Sequence, residues 1–401
     1  MFELISKIIK AKKEKRLNLT LRLKLFKFIK SLKYIFFDPA NEYIRLHSPE
    51  YVTPSIEKEE LDLVKRIFES YRKMKEDKVD NDNLFKPSSL WQSQLNISYS
   101  NLIDGLKNND LNQFHFFLSN FGNWKQYHGV ESNLLIRNNM NNFLNRRYLK
   151  NEIFLKPLKY WNWINNNKKS ISNLAYPTFG NQSGAFIEKN FIGPGSFDND
   201  FYGSILSELV SDLEHPVVAD LGAGYGKLAY FTLKNIKKST FIDFDLPETL
   251  CLAAYYLMKC WPNKKTLLYG EDTFSENSKQ KYDLIFMPSN QIQYIGKNSV
   301  DLFINKNSLG EMSPNAASNY VNYISSATRY FFHLNHEINK NNFSDNSTSL
   351  LANEYPVPKD KFKLILRSPD IWSSFPSGKI DHFMEDIFIY LYEKKINNKN
   401  R

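Results

Sequence analysis

The sequence predicts an α/β protein with a doubly wound, mostly parallel sheet in its C-terminal half and a mostly helical region ahead of it. Three observations carry this. From His215 onward, short apolar runs alternate with helically spaced stretches, the rhythm of βαβ units. The first apolar run leads straight into a glycine cluster and then a helical stretch. Between residues 50 and 170, apolar residues recur three and four apart.

The elements follow in order. Residues 1–40 form a basic tail, 41–175 a mostly helical cap or substrate domain, and 176–395 the sheet domain. Helices are expected over Ile56–Lys75 and Leu90–Leu106, the second opened by Pro87-Ser88-Ser89. Residues 172–200 read as loop, with Pro177, Gly180, Gly184 and Gly193-Pro194-Gly195. Strands are expected at Pro216–Leu221, Thr240–Phe244, Asp283–Met287, Val300–Ile304, Tyr330–Leu334, Lys363–Arg367 and Ile387–Tyr392. Lys227–Ile236 and Pro247–Cys260 are the first crossover helices. The last two strands lack a strong helix between them, which allows an antiparallel strand inserted at the sheet edge.

The run Val217-Val218-Ala219-Asp220-Leu221-Gly222-Ala223-Gly224-Tyr225-Gly226 carries the most chemistry. Glycines after a strand let the backbone approach a ligand where any Cβ would clash. A dinucleotide site needs G-x-G-x-x-G, with pyrophosphate on the helix N-terminus. Here the third glycine arrives one residue early, at Gly226, and Lys227 takes the place of the required glycine. Asp220 stands two residues before the first glycine. An anion there suits the cationic amino end of S-adenosylmethionine (SAM) and repels a pyrophosphate. Asp245 follows at the end of the second strand, where an acid can accept hydrogen bonds from both ribose hydroxyls. Its plainer role is an N-cap for the helix beginning at Pro247, and Asp243 is the alternative acid. The expected cofactor contacts are therefore Asp220, Gly222, Ala223, Gly224, Gly226 and Asp245.

Asp245-Leu246-Pro247-Glu248 resembles the D-L-P segment of small-molecule O-methyltransferases. The run from Asn305 through Ser308 to Glu311-Met312 resembles the N-x-x-S-x-x-E-M block of a family assigned to sugar O-methylation in bacterial surface-polysaccharide gene clusters. Gly180-Asn181 and Leu90-Trp91 are similar to that family as well. The resemblance spans roughly 175–390 and weakens over 50–175. It implies a Rossmann-like class I fold, SAM as cofactor, and a sugar or glycolipid acceptor. Asp272, in Gly270-Glu271-Asp272-Thr273-Phe274, resembles the acidic turn that contacts the adenine amino group. A third strand ending at Met287 would put Ser289, Asn290 and Gln291 there instead. Asn305 is expected at the methionine part of SAM, and Asn181, Asn307 and Ser308 at the acceptor.

A sugar hydroxyl is a poor nucleophile and benefits from a general base. His336, just past the fifth strand, is the favoured base, because histidine titrates near neutral pH. Glu311 is its expected orienter or a hydroxyl acceptor; its plainer role is a cap for the helix after Ser313-Pro314. His333 falls on the packed side of its strand. No cluster has metal-ligand spacing, so no metal is expected.

The net charge of +10 is uneven. Met1–Phe37 holds eleven Lys/Arg against Glu3 and Glu14, a net +9, so the body is close to neutral. That pattern counts against a nucleic-acid enzyme, which carries its positive charge around the cleft. From Leu21 the apolar residues fall on one helical face and Lys24, Lys27, Lys30 and Lys33 largely opposite. Such a helix fits an anionic membrane interface, and it equally fits docking on its own protein. Two cysteines fit a reducing cytoplasm, and no apolar run approaches a membrane span. The competing readings are a nucleic-acid methyltransferase using the tail as an arm, a non-catalytic protein on the same fold, and an oxidoreductase, which Lys227 disfavours.

Overall fold

The computed structural model describes residues 29, 32–34, 37–40, 43–79, 84–124, 140, 143–373 and 386–395. The expected tail helix over 21–36 lies largely outside the described residues.

The chain begins with strand β1 (Ile44–His47) and helix α1 (Lys58–Glu76). Next come α2 (Ser89–Ser98), α3 (Ser100–Lys107) and α4 (Leu111–Asn120). The expected helix over Leu90–Leu106 is broken at Tyr99, which is fully buried. Ser88 caps α2 by accepting from the Trp91 N–H, and Asp110 caps α4 by accepting from the Gln113 N–H. Helix α5 (Phe143–Tyr148) runs through a π-helical turn (Leu149–Leu155) into α6 (Lys156–Ile164).

Strands β2 (Gly184–Ile187) and β3 (Asn190–Ile192) occupy the stretch expected to be loop. They form a hairpin that pairs with β1 from the other side of the helical region. Its turn uses Glu188 at a φ of 55°, without the Asn-Gly pair that advertises such turns. Only the distant β1 completes this three-stranded sheet, so local spacing does not announce it.

Helix α7 (Ser196–Glu208) leads to the large sheet. It is built from β4 (Val217–Leu221), α8 (Lys227–Leu233), β5 (Thr240–Asp245), α9 (Pro247–Cys260), β6 (Thr266–Leu268), α10 (Ser278–Lys281), β7 (Leu284–Pro288), β8 (Val300–Lys306), α11 (Pro314–Ala327), β9 (Thr328–His336), β10 (Phe362–Pro369) and β11 (Ile387–Lys394). The strand order is β10-β11-β9-β8-β4-β5-β7-β6. All pairings are parallel except those of β11, which runs antiparallel between β9 and β10. The order reverses between β4 and β8, and the chain leaves a crevice there beyond the strand ends.

The helical region is fused to the sheet by buried polar staples. Helix α1 buries Val64, Ile67, Phe68, Tyr71 and Met74, one face at helical spacing, against α9. The buried Glu248 of α9 accepts from Tyr71 Oη at 2.8 Å and pairs with Lys75 at 2.9 Å. Glu60 accepts from Tyr255 at 2.6 Å and Lys259 at 2.5 Å. Removing one partner would strand a buried charge, so these contacts hold α1 in one register.

Candidate active site

The crevice is a cavity of about 340 Å³, within the range of small-molecule sites. Its floor is Asp220, Leu221, Gly222, Ala223 and Gly224, and one wall is Phe244, Asp245, Leu246 and Thr249. Gly222 has a φ of +81°, and a Cβ there would meet Ser308 at 2.5 Å. Gly226 caps α8 at a φ of +87°, with Leu257 packed where its Cβ would stand. Gly222→Ala should therefore both strain the backbone and force Ser308 aside, costing about 1–3 kcal/mol. Urea unfolding checks this.

Three acids crowd this end. Asp245 accepts from the Gly224 N–H at 3.2 Å and the Leu246 N–H at 2.6 Å. Burial pushes its carboxyl up to about 6, against the pull of hydrogen bonds from Thr249, Leu246 and Gly224. Asp220 is buried, and burial with the charge of Asp245 drives its carboxyl far above the usual range. One Asp220 oxygen, Oδ1, has no hydrogen-bond partner. Asp243 sits beside Asp220 in the β4–β5 register but is fully buried behind the wall, off the cavity. Of the two acids weighed for β5, Asp245 is the one on the wall.

Five expected site residues are off the cavity lining: Gly226, which serves as the α8 cap packed on Leu257, and four others. Asp272 is exposed in the turn after β6, bonded to Tyr282 at 3.2 Å. The reason is the sheet order: β7, not β6, pairs with β5, so Ser289 at the end of β7 lines the cavity. Asn305 is fully buried and off the wall. Its amide donates to the Leu221 carbonyl at 2.8 Å and accepts from Asn335 at 2.9 Å, tying β8 to its two neighbours. Asn181 donates to the Glu50 carbonyl and to Asn120, locking the loop at a φ of 57° off the crevice wall. His336 is not on the wall either; its ring lies behind Gly310, with Nδ1 2.6 Å from Asp386 Oδ2. Asp386, not Glu311, orients it. Asp386 also accepts from the Ile338 and Asn339 N–H groups. These bonds and the His336 ring outweigh burial and hold its carboxyl below the ordinary range.

Asn307, Ser308 and Glu311 do line the cavity. Asn307 turns the chain at a φ of 66°, and its N–H donates to the Leu334 carbonyl. Glu311 accepts from Trp91 Nε1 at 2.7 Å, and Ser313, not Glu311, caps α11. Burial raises the Glu311 carboxyl, and the Trp91 N–H and the charge of His336 pull it part of the way back.

Sequence reasoning gave no role to several wall residues. Trp91 and the strap Phe85–Ser88 arrive from the helical region and close the side facing Glu311. Phe85 packs edge-on to Tyr320 at 5.6 Å. Lys306 lines the cavity and pairs with Asp198 at 2.6 Å. Lys227 is buried over the Tyr176 ring at 4.0 Å. The apolar pattern around Leu90-Trp91 signalled a helix, and nothing local signalled its partner 220 residues away. Among the described residues, no group of three or more His, Cys, Asp or Glu is placed to hold a metal.

No family model and no curated protein matches the sequence. Solved structures resemble part of the chain. Mitomycin 7-O-methyltransferase MmcR is 11% identical over 50% of this chain and 57% of its own, with a TM-score of 0.30. Magnesium protoporphyrin IX methyltransferase ChlM from Synechocystis, with bound SAM, is 14% identical over 49% and 80%, with a TM-score of 0.32. Human N-acetylserotonin methyltransferase, in complex with SAM, is 12% identical over 48% and 52%, with a TM-score of 0.29. The chain thus spans little more than half the length of two of these enzymes. Its own strand order, with the antiparallel β11 inserted beside β9, makes the C-terminal half a Rossmann-like, doubly wound sheet.

Proposed function

We propose that this protein is a SAM-dependent O-methyltransferase acting on a sugar hydroxyl, carried by a glycan, a glycolipid or a nucleotide sugar. One observation carries the cofactor reading. A glycine-floored cavity contains a buried aspartate with an unpartnered oxygen, beside a second buried acid. Two buried acids there favour a cationic group over a diphosphate, because Lys306 on the wall is already paired with Asp198. Asp220 would hold the cationic amino end of SAM, Asp245 the ribose hydroxyls, and Ser289 would stand at the adenine end.

When bound, SAM supplies an electrophilic methyl group on a good leaving group. The remaining catalysis is alignment, exclusion of water and removal of one proton. Gly222 and Gly224 let the floor approach closely. Trp91 and Tyr320 give the acceptor end aromatic walls that exclude water and suit the C–H faces of a sugar ring. Glu311, held by Trp91 and raised by burial, is the proton acceptor on the wall. His336, held by Asp386, adjusts the charge behind it. The resemblance of the Asn305–Met312 block supports the sugar acceptor.

The test is calorimetry with SAM, followed by transfer of labelled methyl to the cell's own polysaccharide and glycolipid fractions. Label recovered as a sugar methyl ether supports the reading. Absence of SAM binding overturns it, and transfer to another fraction replaces the acceptor.

The raised carboxyls make ligand binding pH-dependent. In the free protein, the stability contributed by the elevated Asp245 carboxyl is present at acid pH and lost as pH rises through about 6. A cationic ligand selects the ionised acids and restores what was lost. The SAM-induced rise in Tm should therefore be larger at pH 7.5 than at pH 5. Thermal unfolding with and without SAM measures it.

A further inference from the structure

One surface remote from the crevice has a composition that the reaction does not explain. Two adjoining grooves share Asp38, Ile44, Arg45 and Arg147. Around them stand Arg146, Lys150 and Lys159, against Asp38 and Glu188 as the acids. The same surface exposes large aromatic side chains. Phe37 is 71% exposed, Tyr43 63% and Phe143 53%. Trp163, one helical turn beyond Lys159 on α6, is 70% exposed and stacks on Tyr160.

The basic N-terminal segment enters the body here. Glu152, in the π-helical turn between α5 and α6, pairs with Lys33 at 2.7 Å and accepts from Tyr34 Oη at 2.5 Å. Arg147 donates to the Tyr34 carbonyl. The 28 residues before the described part carry nine Lys/Arg against two Glu. Lys33 and Tyr34, at the end of that segment, therefore join the body beside Arg147 of the two grooves.

We propose that this face of the folded body docks on an anionic lipid surface. Basic residues attract anionic headgroups, and amphipathic aromatic rings sit at the headgroup boundary. The apolar spacing from Leu21 to Phe36 favours lipid over nucleic acid, since an apolar stripe has a use in a bilayer interface and none along a phosphate backbone. The inference is independent of the methyl-transfer reading.

The test is co-sedimentation of the full chain with vesicles of phosphatidylcholine alone, and with one-third phosphatidylglycerol. The wild type should pellet with the anionic vesicles only. The variant Arg146→Gln/Lys159→Gln/Trp163→Ser changes three exposed side chains and should unfold at the wild-type Tm. At about fivefold per basic residue, its partitioning should fall by roughly 25-fold or more. Tryptophan emission should shift to the blue on anionic vesicles, and Trp163→Ser should reduce the shift. Partitioning of the triple variant within twofold of wild type overturns the body's part in docking. Equal binding to uncharged vesicles overturns the role of charge. Retention of a 20-nucleotide RNA, lost in the triple variant and without vesicle binding, makes the face a nucleic-acid surface and overturns the proposal.

Discussion

Asp220→Asn should weaken SAM binding by about 100-fold or more, while the free protein stays as stable as the wild type or becomes more stable. The two effects have opposite signs for one reason. In the free protein Asp220 is buried with an unpartnered oxygen, and burial with a neighbouring acid opposes its ionisation. An amide of the same shape avoids that cost. In the proposed complex, the same carboxylate would be the counter-charge of a desolvated cation. Losing one member of a buried ion pair costs about 3–5 kcal/mol, and each 1.4 kcal/mol is tenfold in affinity. Calorimetry gives the affinity, and chemical unfolding gives the stability. A variant that binds SAM normally would remove Asp220 from the site. A variant that loses binding only because it unfolds would make the aspartate structural.

Glu311→Gln should lower kcat by about 10²–10⁴-fold with SAM affinity nearly unchanged. The glutamine side chain keeps the shape and can still accept from Trp91 Nε1. It cannot take a proton from the acceptor hydroxyl. Because burial already raises the Glu311 carboxyl, the neutral replacement should fold as well as wild type. In the wild type, the acid limb of the pH–rate profile should follow this carboxyl, and it should vanish in the variant. Unchanged kcat would leave proton removal to another group, with His336 on Asp386 the first to examine by His336→Gln. This prediction needs an acceptor, so it follows the labelling experiment.

The parts legible in the sequence were those made by neighbours along the chain. The strand, glycines and helix of Val217–Lys227 form one contiguous unit, and their spacing alone favours a cationic nucleoside over a diphosphate. Asp245 was legible because the next strand ends there. His333 was read as packed, and it is fully buried, stacked on Tyr390 at 4.8 Å. The misplaced residues share a different property. Asp272 was assigned by a local acidic turn, yet its place depends on which of β6 and β7 pairs with β5. Asn305 is the next-to-last residue of a strand that ends at the crevice, but its side chain turns inward to the Leu221 carbonyl.

The sequence by itself determined the doubly wound sheet, the glycine floor and the two acids that face it, because periodicity and turn chemistry act over a few residues. Only the tertiary structure decided which strand walls the Ser289 end of the crevice, that Trp91 holds Glu311, and that Asp386 holds His336. Each of those depends on groups more than 40 residues apart, brought together by packing of whole elements. Local spacing carries no record of that packing, so the crevice could be read from the chain while its far walls could not.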